Sequence, residues 1–335
     1  MDASCNAPHP HSAFEGYYSK FDLPSGAHIT IIVSTVRKVK TRPHVVSFSY
    51  IPRDVSKTFQ REVCVDDITM RALDDKGAFE LVASDVGYVR WTSNNTTEYK
   101  LHHEDFTFEG KTRDRTPWST STQTPEWLLA YLPLPLHWHV HNLGSTCDFT
   151  FKIPSSDLPS SDLSGQAFVH QEKNWAHSFP AAQVWIQARD GDRRFCCAGG
   201  PTMGMEAFLI GYRSKQHNFD FRPPFSLRVA GMSPFMWYKQ DWETRSFQMS
   251  VQDFWRKIEV KIRAPKGTFF SLSAPFSDGH RPNFLGESFQ AVLDIKIYEA
   301  TLFSWKLVGE DHFESVSLEF GGDYYPPRGS ERRIN

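Results

Sequence analysis

The chain has 335 residues, 40% of them hydrophobic and 14% aromatic, with a formal charge of −2. That length holds two domains or one large β architecture. The near-neutral charge, with only short basic runs such as 37–40, excludes the clustered Lys and Arg that nucleic acid demands.

The first eleven residues carry neither a basic segment nor an apolar core, so they do not read as a secretory signal. No later run approaches the roughly 18 apolar residues of a membrane span. Five cysteines, an odd number without repeating spacing and including the pair Cys196-Cys197, point to free thiols in a reducing, cytoplasmic compartment. The Asn-x-Thr sequons at Asn94 and Asn95 are then incidental. Alternating and β-branched runs follow in order, predicting strands at 27–36, 44–51, 59–65, 78–83, 87–91, 97–108, 134–141 and 147–153. A Ser, Pro and Asp stretch at 154–165 reads as a linker. Beyond it, strands are expected at 167–171, 184–188, 206–212, 225–229, 247–251, 257–262, 269–273, 289–298, 302–307 and 315–320, with short helical turns at 125–132 and 251–256. An all-β chain of two domains, 1–160 and 161–335, is the expected organisation.

Aromatic rings at this density, 27 Phe and 10 Trp, serve a large β core or a roomy apolar pocket equally well. His137, His139 and His141 recur at every second position, so a strand projects all three to one face and Leu136, Trp138 and Val140 to the other. A metal chelate, a solvent-facing or interdomain strand and a pocket wall remain open for them. No accompanying ligand motif such as His-Glu-x-x-His is present, so no metal is assigned. Neither Gly-x-Gly-x-x-Gly after a strand nor a Walker loop is present, so neither dinucleotide nor phosphate binding is indicated. Cys196-Cys197 lacks the partners of a nucleophile or redox pair and reads as structural.

The densest chemistry lies in 171–187, where Glu172, Lys173, Asn174 and His177 are bracketed by Trp175, Phe179 and Trp185. Alternation sends Glu172 and Asn174 to one face and Lys173 and Trp175 to the other, so one pair is structural and the other can line a cavity. A second stretch, 232–242, offers soft and flat surface through Met236, Trp237, Tyr238 and Trp242. Glu206, Tyr212 and Arg213 are additional polar contacts.

The 171–187 segment resembles the Glu-Lys-Asn-Trp-Gly, Phe-Pro, Trp-x-Trp-x-Gln pattern of the tocopherol cyclase, carotenoid hydratase and AttH-like group, which includes fungal lipocalin-like Diels-Alderases of secondary metabolism. Glu172, Lys173, Asn174, Trp175, Phe179, Pro180, Trp185 and Gln187 match; Ala176 and Gln183 depart from the pattern. Residues 134–145, which include Trp138, are similar to the His-Ser-Leu-Gly-Ser strand of the same proteins. The resemblance implies two calycin-like or lipocalin-like β-barrel or sandwich domains, an apolar small-molecule ligand and no metal or cofactor.

The function so implied is a cofactor-independent pericyclase performing a Diels-Alder or hetero-Diels-Alder cycloaddition on a polyene, quinone methide or terpene. Lys173, Asn174, His177 and Tyr238 are the expected hydrogen-bond donors. Glu172, Trp138, Trp175, Trp185, Gln187, Glu206, Tyr212, Trp237 and Trp242 are the expected binding residues. An acid-catalysed prenyl cyclase or hydratase is the alternative, marked by a protonated Glu172, Glu206 or Asp241. A non-catalytic lipocalin-like carrier is the third reading.

Overall fold

The computed structural model describes residues 7–119, 122 and 124–326. Cys5 and the first six residues of the segment read as lacking a signal lie outside it. The described part is almost entirely β, and its backbone clusters into two compact units. One comprises residues up to Phe179 together with 275–281; the other comprises 180–274 and 282 onward.

The first sheet is built from β1 (Phe14–Asp22), β2 (His28–Val36), β3 (His44–Ile51), β4 (Phe59–Cys64), β5 (Ile68–Ala72), β6 (Phe79–Ala83), β7 (Gly87–Trp91), β8 (Thr97–His103), β9 (Phe106–Thr116), β10 (Leu136–Lys152) and β11 (Ser164–Ala176). Its order is β4-β3-β2-β1-β11-β10-β9-β8-β7-β6-β5, antiparallel throughout. β11 therefore sits in the middle, between the first strand and the tenth. Ile29, Ile31 and Val33 of β2 join Phe48, Leu101, Phe106, Phe108 and Val169 in the core of this unit. The boundary expected at 160 falls inside it. The expected linker is held down by a short helix, Ser160–Leu163, whose Asp162 is buried and accepts a hydrogen bond from Tyr50 at 2.7 Å.

The second sheet contains β12 (Ala182–Asp190), β13 (Arg193–Thr202), β14 (Met205–Arg213), β15 (Asn218–Phe221), β16 (Leu227–Val229), β17 (Met236–Asp241), β18 (Ser246–Gln252), β19 (Arg256–Arg263), β20 (Phe270–Phe276), β21 (Gly279–Ala300) and β22 (Trp305–Gly322). Its path is β15-β14-β13-β12-β22-β21-β19-β18-β17, with β16 on β14 and β20 on β21. Val184, Ile186, Phe208, Phe247, Val260, Leu293 and Leu318 form its core.

The strands expected at 44–51 and 87–91 occur with those bounds. The run expected at 97–108 is broken by a turn at Glu104 and Asp105, because His103 and Phe106 pair across a hairpin. Conversely, 134–141 and 147–153 merge into the 17 residues of β10, whose irregular register near Val140 to Ser145 absorbs the polar Asn142 and Ser145. The expected turn at 125–132 is a 3-10 segment, Trp127–Tyr131. The one expected at 251–256 is instead the end of β18 and a tight turn into β19, because the Asp253 side chain accepts from the backbone N–H of Trp255 and Arg256. Cys64, Cys147, Cys196 and Cys197 are free thiols.

The tip 275–281 clusters with the first unit through polar contacts. The His280 backbone N–H donates to the Arg42 carbonyl at 3.2 Å, and its ring nitrogens lie 2.7 Å from that oxygen and 2.8 Å from Ser34 Oγ. Gly279 stands at φ +122°, and a Cβ there would overlap the Thr41 carbonyl oxygen.

Candidate functional site

Three neighbouring strands place six side chains in two rows on the core face of the first sheet. Register pairs Glu15 and His137 with Trp175, and Tyr17 and His139 with Lys173. Each pair on one strand is two residues apart, so strand alternation turns all six the same way. Glu15, Tyr17, Lys173 and His139 are fully enclosed.

Lys173 Nζ donates to Glu15 Oε1 at 2.9 Å and to the Ala7 carbonyl at 2.5 Å, and lies 3.1 Å from His9 Nδ1. Its charge also rests 4.9 Å from the Trp175 ring and 5.2 Å from that of Tyr17. Glu15 accepts from Tyr17 Oη at 2.9 Å and from the His9 backbone N–H at 2.8 Å, with the Arg37 guanidinium at 3.5 Å. Burial alone pushes Glu15 upward, but Lys173 and the His9 and Lys173 hydrogen bonds win and bring it to about 2. Trp175 is stacked against His9 at 3.9 Å and His137 at 4.9 Å. His137 Nδ1 in turn meets Glu126 Oε2 at 2.8 Å, and the other oxygen of Glu126 accepts the Trp138 backbone N–H at 2.6 Å. The ion pair and its shell are thus closed on themselves, and the segment 7–9 lies over them.

The continuation of this face is different. His141 sits among the rings of Tyr17 (6.0 Å), Trp91 (5.7 Å) and Phe79 (6.2 Å), with Phe79 and Trp91 stacked at 4.7 Å. His141 Nε2 and Trp91 Nε1 are both buried without a hydrogen-bond partner among the described residues. Native structures rarely leave such atoms unpaired, and each costs about 1–3 kcal/mol. His139 and His141 are held neutral: burial drives both well below the usual imidazole value, and Lys173 and Arg115 add to it. The histidine face left open by the sequence is therefore a buried wall, and a solvent-facing strand is corrected: the alternation is right, but the face it selects points into the core.

The other expected residues lie elsewhere. On the opposite face of β11, Glu172 meets His170 Nε2 at 3.0 Å, and Asn174 is paired in register with Gly16 and Trp138. Trp138 packs edge-on to Trp118 at 5.8 Å. His177 is exposed in the turn after β11. In the second unit, Trp242 is packed by Phe269, Phe320 and Tyr325 under the Arg245 guanidinium. Tyr212 donates to Asp311 and stacks on Phe219. Trp185 and Gln187 are buried on β12, with Ser317 donating to Gln187 at 3.4 Å, while Trp237 is exposed. Tyr238 and Glu206 do come together. Tyr238 Oη is 3.0 Å from Tyr324 Oη, and Arg228 covers the Tyr238 ring at 4.9 Å while approaching Glu206 at 3.8 Å. Glu15, His9, Glu126 and Trp91 were not anticipated. The Glu-x-Tyr spacing at 15–17 was the available signal, but β1 itself was not expected.

These groups set a pH dependence. His139 and His141 titrate lower in the folded protein than unfolded, so the unfolded chain binds more protons below about pH 6.5 and stability falls on acidification. Glu15 adds a second loss as pH drops from about 4.5 towards its folded value of about 2. Urea midpoints should therefore decline continuously below pH 6.5, and replacing His139 and His141 by Gln should flatten the upper part of that decline and leave the lower part unchanged.

No protein-family model and no curated relative matches the sequence. Solved structures do. CghA superposes with a TM-score of 0.57 at 12% identity over 94% of this chain and 93% of its own; its complex with Sch210972 gives 0.52 at 12%, over 93% and 89%. An AttH-like protein from Nitrosomonas europaea gives 0.55 at 10%, over 96% and 95%, and kievitone hydratase from Nectria haematococca 0.55 at 8%, over 96% and 93%. The fold is the two-domain lipocalin-like fold expected from 171–187, shared with these structures at identities that speak for architecture alone.

Proposed function

We propose that the chain is a cofactor-independent cyclase, a pericyclase that folds one conjugated, apolar small molecule into a reactive geometry. The observation that carries this reading is the ring cluster of Tyr17, Phe79, Trp91 and His141, with two buried polar atoms left unpaired among the described residues. Apolar rings with one or two convergent polar groups suit such a ligand. Cycloaddition moves no proton, so positioning is the main demand, and good intramolecular alignment supplies up to roughly 7–11 kcal/mol. The buried Trp91 N–H, donated to a conjugated carbonyl, would polarise it further. All three Lys173 hydrogens have partners already, so its part is a fixed positive field rather than direct contact. Asn174, His177 and Tyr238 remain proposed donors on other surfaces. CghA, with which the chain shares its fold, is a Diels-Alderase.

The acid-catalysed route needs a carboxyl that stays protonated. Glu15 is at about 2, and Asp241 is held below its usual value by hydrogen bonds from Thr244. Both are carboxylates at neutral pH, which leaves Glu172 and Glu206 as the acids that route would have to use.

The test is a linear diene–dienophile substrate incubated with protein and with buffer alone. One stereoisomer forming faster than in buffer is expected, with Trp91→Phe slower by about tenfold to a hundredfold. An unchanged isomer mixture would sink the proposal. Solvent deuterium in the product would assign the acid-catalysed route, and tight binding without turnover a carrier.

A further inference from the structure

At one end of the second sheet, two hairpin turns carry large apolar side chains into solvent. The turn between β18 and β19 presents Phe254, 66% exposed, and Trp255, 75% exposed; that between β21 and β22 presents Leu302 at 92% and Phe303 at 97%. The Ala300 N–H donates to the Trp255 carbonyl at 2.8 Å, so the two tips are neighbours. Neither is a loose loop. Asp253 accepts from the backbone N–H of Trp255 and Arg256 at 2.7 and 2.6 Å. Thr301 Oγ1 meets the N–H and carbonyl of Ser304 at 3.0 and 2.8 Å. In each turn the polar side chain is spent on the backbone, and the two apolar residues are held outward.

We propose that these paired tips dock the protein on a lipid bilayer surface, inserting Phe254, Trp255, Leu302 and Phe303 at the headgroup and acyl boundary. This goes beyond the proposed reaction and does not depend on it. Three features select lipid as the occupant. The residue types, Trp, Phe and Leu, are those that lie at that boundary. The surface is small and projecting: four side chains expose on the order of 600 Å² at about 150–250 Å² per ring, short of the roughly 800 Å² per partner of a standard protein interface. The charges just behind the tips, two cations and two carboxylates, sum to zero, so phosphate headgroups meet no net repulsion and can pair with the exposed Arg256 and Lys306. Arg256 and Lys306 are exposed, and Glu299, paired in register with both, is the acid between them. Asp253 is already engaged by its own turn. No helix among the described residues is long and apolar enough to cross a membrane, so the contact proposed lies on the bilayer.

The experiment is flotation of the full chain with phosphatidylcholine vesicles containing phosphatidylserine, compared with the variants F254S/W255S and L302S/F303S. The wild type should float with the vesicles, and each double variant should lose at least about tenfold of the bound fraction with unchanged thermal unfolding. Brominated phosphatidylcholine should quench tryptophan fluorescence in the wild type and less in Trp255→Phe. Failure of the wild type to bind, or equal binding by the double variants, overturns the proposal. So does a concentration-dependent dimer abolished by the same substitutions while vesicles stay unbound, which would make a second copy of the chain the occupant.

Discussion

Lys173→Met is expected to destabilise the protein by about 3–5 kcal/mol, measured by urea unfolding at neutral pH. The substitution keeps an unbranched apolar stem and removes the ammonium that lies over the Tyr17 and Trp175 rings. Glu15 would then be a buried carboxylate supported mainly by the His9 backbone N–H and ring, with the Tyr17 hydroxyl at 2.9 Å and the Arg37 guanidinium at 3.5 Å. Its pKa should climb from about 2, so the acid limb of the unfolding profile should move to higher pH. Adding Glu15→Gln should return much of the loss, because removing both charges removes the desolvation cost that the pair exists to offset. A single variant within 1 kcal/mol of the wild type would show that the pair is not the keystone of this face.

The second large effect is expected at Gly279→Ala, a loss of roughly 3 kcal/mol or more. Two penalties combine there: a φ of +122°, which L side chains avoid, and a methyl group directed into the Thr41 carbonyl. Moving the turn to relieve the overlap would pull His280 from Ser34 and from the Arg42 carbonyl. Gly267→Ala is the control, since it has φ +82° but nothing near its Cβ, and should cost about 1 kcal/mol. Equal losses at the two positions would show that the close approach to Thr41 contributes nothing.

The legible parts of the sequence were those where one face of a strand is apolar and the other polar. β2, β3 and β7 have that character. β1 and β11 do not: Glu15, Ser19, Lys20, Glu172 and Lys173 put buried polar and charged groups on both faces of their strands, so neither alternates cleanly. For β1 this hid the strand itself, and with it Glu15. For β11 the family pattern rescued it, and alternation correctly separated Lys173 and Trp175 from Glu172 and Asn174. What alternation cannot give is the cross-strand register. Which residues meet Lys173 depends on β1 and β10 flanking β11, and that order is a property of chain topology. The same ignorance of topology explains why the tryptophans of 171–187 and 232–242, expected as binding walls, include several packed within cores or stacked on imidazoles.

The central position of β11 bears on how the protein is made. Glu15 and Lys173 are separated by 158 residues, and at ribosomal speeds of about 5–20 residues per second the carboxylate precedes its partner by roughly 10–30 s. Through that interval β1 has β2 on one edge and an open edge on the other, while its core face carries a charge that resists burial. A nascent chain therefore has reason to keep this edge wet and unpaired until β11 arrives. An early-emerging carboxylate of this kind guards against the wrong strand docking first.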